Sequence, residues 1–268
     1  MAQQYALDVN GNRVFIEKAS TMNDYFCEAC NGKMIVKKGF VRLHHFAHAA
    51  SAKCTDSWHY DDKSVWHRNW QNRFPEQCRE VYKEYRGGKH RADVLLEKNK
   101  IVIEFQHSNL SAEEFKKRNA FYRGLGYRIV WLFDLSEHFE NGYFIFEKNE
   151  GVCWDHPLKT FKDFTLKDNG IELFFQIEYP ADENDLVQSI NKIGMSDAFG
   201  PESEQYFFEH KNDKGKIIRV AKIATDGIDY FYTDPNIHSI DSWIQMVTNV
   251  KSFEPNVVNF IVPFTPFQ

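Results

Sequence analysis

Residues 90–108, HRADVLLEKNKIVIEFQHS, carry two acidic side chains inside runs of apolar residues. The runs around Asp93 and Glu104 are rich in Val, Ile, Leu and Phe, and the polar EKNK between them predicts two strands joined by a turn. A carboxylate in a buried strand costs free energy unless it is paired or bound to a metal ion. The segment therefore predicts two paired strands in which each acid either has a charged partner or binds a metal ion.

Strand alternation indicates which of these side chains share a face. Glu104 and Gln106 are two positions apart, so they point the same way, and Asp93 can lie opposite Glu104 on the neighbouring strand. Carboxylate oxygens of this kind suit Mg²⁺ or Mn²⁺, which can activate a water molecule for attack on a phosphate. Gln106 would then orient that water. The alternative is that each carboxylate forms a salt bridge with a neighbouring Arg or Lys in an ordinary sheet.

Three further residues are candidates for the same chemistry. Glu80 and Glu84 are four positions apart on the preceding strand, so they share a face, and Glu80 is predicted as a further catalytic residue. His67 lies in the helical stretch WHRNWQNRF and could contact phosphate or act as a general acid or base. The alternatives are a solvent-exposed face for the two glutamates and a packed histidine in the helix.

Cysteine and histidine residues are concentrated in the N-terminal part. A C-x-x-C pair is followed by LHHFAHAASAKC, and a tetrahedral zinc site needs four ligands of this type. The predicted zinc ligands are drawn from Cys27, Cys30, His45, His48 and Cys54, with His44 as a further alternative. His44 and His48 have the three-residue gap that is common among zinc ligands, while His45 and His48 are three positions apart, which would also suit one helical turn. Cys54 could replace one of the histidines. Small buried cysteines with a surface histidine cluster are the alternative reading.

The pattern of elements predicts an α/β fold in three regions. Residues 1–60 are expected to form a zinc-binding module, residues 61–135 an α/β core that carries the acidic residues, and residues 136–268 a C-terminal α+β domain that carries no recognisable motif. The middle region predicts the order helix, strand, strand, strand, helix, strand. Ser111 is the expected N-cap of the second helix, with Glu114 as its capping partner.

Charge is distributed unevenly along the chain. The net charge is −5 overall, but it is +5 in residues 62–135 and −11 in residues 136–268. A basic middle region suits contact with a DNA backbone. The phosphate contacts predicted from charge are Lys89, Arg91, Lys116 and Arg118. The acidic half is expected to face away from DNA or to contact a protein, which could be a second copy of the chain.

The sequence also predicts where the protein resides. No window approaches the roughly twenty uncharged apolar residues that a membrane span requires. The first residues lack the basic and apolar segments of a secretory signal. The five cysteines are an odd number, which does not suit a disulfide framework. We therefore expect a cytoplasmic protein with no membrane partner.

Several motifs in a fixed order resemble the competence protein CoiA-like family. They are the C-x-x-C at 27–30, HFAH at 45–48 with Cys54 following, WHRNWQ at 66–71, RADV at 91–94 and IEFQHS at 103–108. The resemblance covers about residues 5–135. It implies a restriction-endonuclease-like core of the PD-(D/E)xK superfamily, with DNA as substrate and a divalent-metal site at Asp93 and Glu104. In that family glutamine replaces the superfamily's lysine, which matches Gln106. Similar sequences carry an acidic residue where this chain has Val65.

Three functional hypotheses follow. The first is a Mg²⁺- or Mn²⁺-dependent deoxyribonuclease, acting as an endonuclease in DNA uptake and processing or in anti-phage defence. The second is a nucleic-acid-binding or adaptor protein that keeps the fold without catalysis. The third is a defence or toxin effector whose C-terminal half gates the nuclease. A sheet that only bound nucleic acid would gain by replacing buried acids, which favours the first hypothesis.

Overall fold

The computed structural model is a mixed α/β protein with two β-sheets and few helices, which confirms the predicted fold class. The described residues up to Glu97 form one compact unit, and those from Lys98 onward form a second. The three regions predicted from the sequence stay a prediction. The structure describes residues 2–50, 54, 65–141, 144–147, 151–154, 160, 171–179, 217–225, 231–238 and 240–248.

The first unit begins with a six-stranded antiparallel sheet in the order β1-β6-β5-β4-β2-β3. Its short strands enclose a small core in which Ile16, Phe46 and Cys27 are fully buried. The strands are β1 (Ala2–Gln3), β2 (Tyr5–Leu7), β3 (Arg13–Phe15), β4 (Tyr25–Phe26), β5 (Lys33–Lys37) and β6 (His45–His48).

The same unit continues with helix α1 and an antiparallel hairpin. The amphipathic segment DDKSVWHRNWQNRF at 61–74 predicts a helix, which is confirmed as α1 (Val65–Gln71), while positions 61–64 lie outside the described residues. Strands β7 (Arg79–Tyr85) and β8 (Gly88–Leu96) follow. Arg86 and Gly87 form the turn between them, and both have a positive φ. Two-residue hairpin turns adopt this conformation because its twist matches the right-handed twist of the flanking strands. A single-turn 3-10 helix, Glu97–Asn99, occupies the predicted EKNK turn.

The second unit opens with a parallel strand–helix–strand arrangement. Strand β9 (Ile101–Gln106) pairs in parallel with β10 (Arg128–Asp134), and helix α2 (Ala112–Gly124) connects them. The hydroxyl of Ser111 accepts a hydrogen bond from the Glu114 amide at 3.1 Å, which confirms the predicted N-cap. Just after the helix, Gly126 has a φ of +79°, a conformation that glycine adopts readily.

Further strands extend this sheet in the order β11-β12-β15-β14-β13-β10-β9. The remaining elements are α3 (Ser136–Glu140), β11 (Phe144–Glu147), β12 (Gly151–Trp154), β13 (Ile171–Tyr179), β14 (Ile217–Thr225), β15 (Phe231–His238) and α4 (Ile240–Thr248). The aromatic-rich segments GYFIFEK, GIELFFQIEY and IDYFYTD predict strands, and IDSWIQMVTNV predicts a helix, as the structure shows. The helix that ENDLVQSINKIG predicts at 183–194 lies outside the described residues. None of the helices that the structure describes is long and apolar enough to cross a membrane.

Candidate functional site

Four predicted metal ligands of the first unit come together in the structure. The sulfurs of Cys27, Cys30 and Cys54 and a ring nitrogen of His48 all lie within 4.8 Å of one another. Such a set could hold a tetrahedral metal ion such as zinc, and four protein ligands leave no open position for substrate. The cluster therefore has the composition of a structural site.

Local backbone geometry explains why the cysteine pair fits a metal. The turn after β4 directs the amide of Ala29 to the sulfur of Cys27 and the amide of Gly32 to the sulfur of Cys30, each at 3.4 Å. Asn31 adopts a positive φ of 54° to close the turn. Amide donors of this kind stabilise thiolates, the form in which cysteine binds a metal ion.

His48 contributes to the cluster from strand β6. Its Nε2 lies 3.4 Å from the sulfur of Cys30. Partial burial lowers the pKa of His48, which favours the neutral imidazole that binds metal.

His45 does not belong to this cluster, although it was a predicted ligand. HFAH forms a strand and not a helical turn, so residues three apart point to opposite faces of the sheet. The Nδ1 of His45 lies 2.8 Å from the backbone oxygen of Leu43, and His44 is bonded to Glu17 at 2.8 Å. The ambiguity among the histidines is thus resolved in favour of His48.

Asp93 lies on strand β8 and is only 3% exposed. Helix α1 faces it with two polar side chains. His67 Nε2 is 2.9 Å from Asp93 Oδ1, and the amide nitrogen of Gln71 lies 3.1 Å from the Asp93 backbone oxygen and 3.4 Å from Oδ1. His67 and Asp93, both predicted for the site, are therefore in direct contact.

Glu80 lies on strand β7 and is also buried. Its carboxylate accepts hydrogen bonds from the backbone and side-chain nitrogens of Gln4, at 2.9 and 3.2 Å, and lies 3.4 Å from the guanidinium of Arg91. Its φ of 51° interrupts an otherwise extended strand. Non-glycine residues held in this conformation cluster at functional or tightly constrained positions. Glu84, predicted to share its environment, is exposed and lies 3.6 Å from Lys89.

Glu104 is fully buried in strand β9 of the second unit. The guanidinium of Arg118, on helix α2, lies 3.3 Å from the carboxylate of Glu104 and 3.1 Å from that of Glu114. One guanidinium therefore forms ion pairs with two carboxylates. Gln106, two positions further, is partly exposed and donates to the backbone oxygen of Ser108 at 2.6 Å. Both predicted residues thus lie at the end of β9, one buried and the other accessible.

Two family models match the segments that contain these residues. The model described as the competence protein CoiA N-terminal domain matches residues 10–57, and the model described as the competence protein CoiA nuclease-like domain matches residues 70–154. The chain is a CoiA-like family protein. The Cys/His cluster falls in the first segment, and Asp93 and Glu104 fall in the second. No curated protein and no solved structure gives a match.

The predicted phosphate contacts of this CoiA-like protein differ in their surroundings. Arg91 and Arg118 are buried and ion-paired with Glu80 and Glu104, so they are not part of an exposed basic surface in this structure. Lys116 is exposed on helix α2. Lys89 lies near Glu84 and donates to the backbone oxygen of Ala29 at 3.3 Å. Of the four, the two lysines have the accessibility that contact with phosphate needs.

A histidine–aspartate pair in the second unit was not among the predicted site residues. His107 Nδ1 lies 2.8 Å from Asp134 Oδ2, at the carboxyl ends of the adjacent parallel strands β9 and β10. The hydrogen bond to Asp134 raises the pKa of His107, and the negative charge of Asp134 adds to this effect. The available signal was the placement of both residues directly at the ends of strands predicted to be buried.

Proposed function

We propose that this protein hydrolyses phosphodiester bonds in DNA with the help of a divalent cation, Mg²⁺ or Mn²⁺, and acts as an endonuclease. The observation that carries the proposal is the burial of Asp93 and Glu104, at 3% and 0% exposure, inside the segment matched by the nuclease-like model. A buried carboxylate needs compensation for its charge, which His67 and Arg118 supply to Asp93 and Glu104 in this structure, and a bound cation is the further compensation that we propose.

The proposed ligands of the cation are Asp93 and Glu104, whose oxygens are of the type that Mg²⁺ and Mn²⁺ prefer. When bound, the cation would activate water and stabilise charge on the scissile phosphate. The chain's own contribution is orientation. His67 and Gln71 hold the Asp93 carboxylate, and the accessible amide of Gln106 is placed to orient the attacking water.

The remaining predicted residues have supporting roles in the proposal. Glu80 positions the β7–β8 hairpin through its bonds to Gln4 and Arg91. Lys89 and Lys116 contact DNA phosphates. The Cys/His cluster could bind Zn²⁺ and hold the N-terminal sheet together without taking part in hydrolysis.

The test is cleavage of labelled single-stranded and duplex DNA with and without Mg²⁺ or Mn²⁺. We expect wild-type cleavage only with the cation, and a loss of about 100-fold or more in Asp93→Asn, because metal-dependent charge stabilisation supplies several kcal/mol. Glu76→Gln is the matched control, since Glu76 is an exposed acid of the same unit paired with Lys18. DNA binding without any cation-dependent cleavage would instead support a non-catalytic adaptor.

A further inference from the structure

The loop between strands β5 and β6, residues 38–44, carries two apolar side chains that are almost fully exposed. Phe40 is 87% exposed and its neighbour Val41 is 96% exposed. Single exposed apolar residues are common on protein surfaces, but two adjacent ones at the tip of a hairpin form a small exposed apolar patch.

The loop is anchored at both of its ends. Lys38 donates from its ammonium group to the backbone oxygens of Glu17 and Ala19, at 3.0 and 2.7 Å. On the other side, His44 is bonded to Glu17, and the guanidinium of Arg68 donates to the backbone oxygen of His44. The tip is thus presented from a supported base, which reduces the entropy lost when it binds a partner.

The charged side chains of the segment that carries the tip are all basic, while the carboxylate of Glu17 lies against His44 at the base of the loop. Residues 29–55 contain five lysines and arginines and not one aspartate or glutamate, although the whole chain has a net charge of −5. Lys37 and Arg42 flank the tip and are exposed. The strand register places His45 opposite Lys37, and His45 is not part of the Cys/His cluster. A polyanion is the partner that such a surface complements.

We propose that the β5–β6 loop binds single-stranded DNA, with a base stacked on Phe40 and the backbone phosphates held by Lys37 and Arg42. Aromatic side chains between cationic residues bind unpaired bases in this way, because every base has a stacking face that only a single strand exposes. Val41 supplies an apolar contact beside the stacked base. The inference rests on the proposed function in one respect, the choice of DNA as the polyanion.

The test is the binding of a labelled mixed-sequence oligonucleotide, followed by fluorescence anisotropy without added Mg²⁺ or Mn²⁺. We expect Phe40→Ala to weaken single-strand binding by about 5- to 150-fold, which corresponds to one stacked base at about 1–3 kcal/mol. Phe40→Tyr should bind like wild type. Arg42→Gln should lower the slope of log affinity against log salt by about 0.7, the value for one single-strand phosphate contact.

Met22→Ala is the matched control, because Met22 is 92% exposed in the same unit but lies outside the loop. Wild-type affinity in Phe40→Ala, or an equal loss in Met22→Ala, would overturn the proposal. An equal loss of affinity for duplex DNA in Phe40→Ala would also overturn it. The absence of any single-strand binding by wild type would overturn it too, and would indicate that the loop binds a protein partner. Because binding is measured without the catalytic cation, a failure of the proposed nuclease activity leaves this result unaffected.

Discussion

The side-chain amide of Gln71 donates a hydrogen bond to the backbone oxygen of Asp93 across 3.1 Å. The oxygen of the same amide accepts a hydrogen bond from Gln4 at 2.5 Å. One buried side chain therefore joins helix α1, the strand that carries Asp93, and the N-terminal segment whose neighbouring Gln3 contacts the sulfur of Cys27. The Cys/His cluster and Asp93 are thus linked within the first unit through the adjacent residues Gln3 and Gln4 and the side chain of Gln71.

Replacing Gln71 with leucine should lower the free energy of unfolding by about 1–3 kcal/mol, because it removes hydrogen bonds from buried polar groups of Gln4 and Asp93. Urea denaturation measures this difference. Gln77→Leu serves as the control, since Gln77 is exposed. Equal stability of the two variants would show that the buried amide contributes nothing.

His48 and His45 should differ in their effect on metal content. We expect His48→Ala to lose bound zinc, measured by elemental analysis of the purified protein, and His45→Ala to retain it, because only His48 lies within the cluster. Among the cysteines, Cys54→Ser should lose zinc and Cys78→Ser should keep it. Retention of zinc by His48→Ala together with loss by His45→Ala would reverse the assignment.

Glu80→Ala should destabilise the protein by about 3–5 kcal/mol, because it removes one partner of a buried ion pair with Arg91. Glu84→Ala, on the same strand but exposed, should change the unfolding free energy by less than about 0.5 kcal/mol. Thermal or urea unfolding of both variants checks the contrast. A similar small effect for both would mean that the contacts of Glu80 are of little energetic importance.

His107 should make stability depend on pH in a defined direction. Its pKa is raised in the folded protein from the ordinary 6.5 by the hydrogen bond to Asp134, with further contributions from the charges of Asp134 and Glu137. The stabilisation is therefore fully present below about pH 6.5 and is lost as pH rises through the raised folded pKa. NMR titration of the His107 ring should show its pKa fall in Asp134→Asn and stay the same in Glu113→Gln. An unchanged pKa in Asp134→Asn would contradict this account.

Much of the fold could be predicted because it depends on local patterns. The apolar runs of β8 and β9, the cap at Ser111 and the Cys-x-x-Cys turn are each encoded within a few residues. The option that His45 and His48 share one helical turn does not hold, because HFAH is a strand, and four residues are too few for periodicity to distinguish a turn from a strand.

The parts that could not be predicted depend on contacts between distant positions. The positive φ of Glu80 leaves no mark in the pattern of apolar residues, and its bonds to Gln4 span 76 positions. Arg91 and Arg118 illustrate the same limit, because charge alone does not show whether a guanidinium faces solvent or a buried carboxylate.

The most direct test of the central claim compares cleavage rates of wild type, Asp93→Asn, Glu104→Gln and the double variant at a saturating concentration of Mg²⁺. If both carboxylates are ligands of the catalytic cation, each single variant should lose about 100-fold or more, and the double variant should lose little beyond either one. Losses that multiply in the double variant, or cleavage that survives in both single variants, would contradict the assignment of these two residues to one metal site.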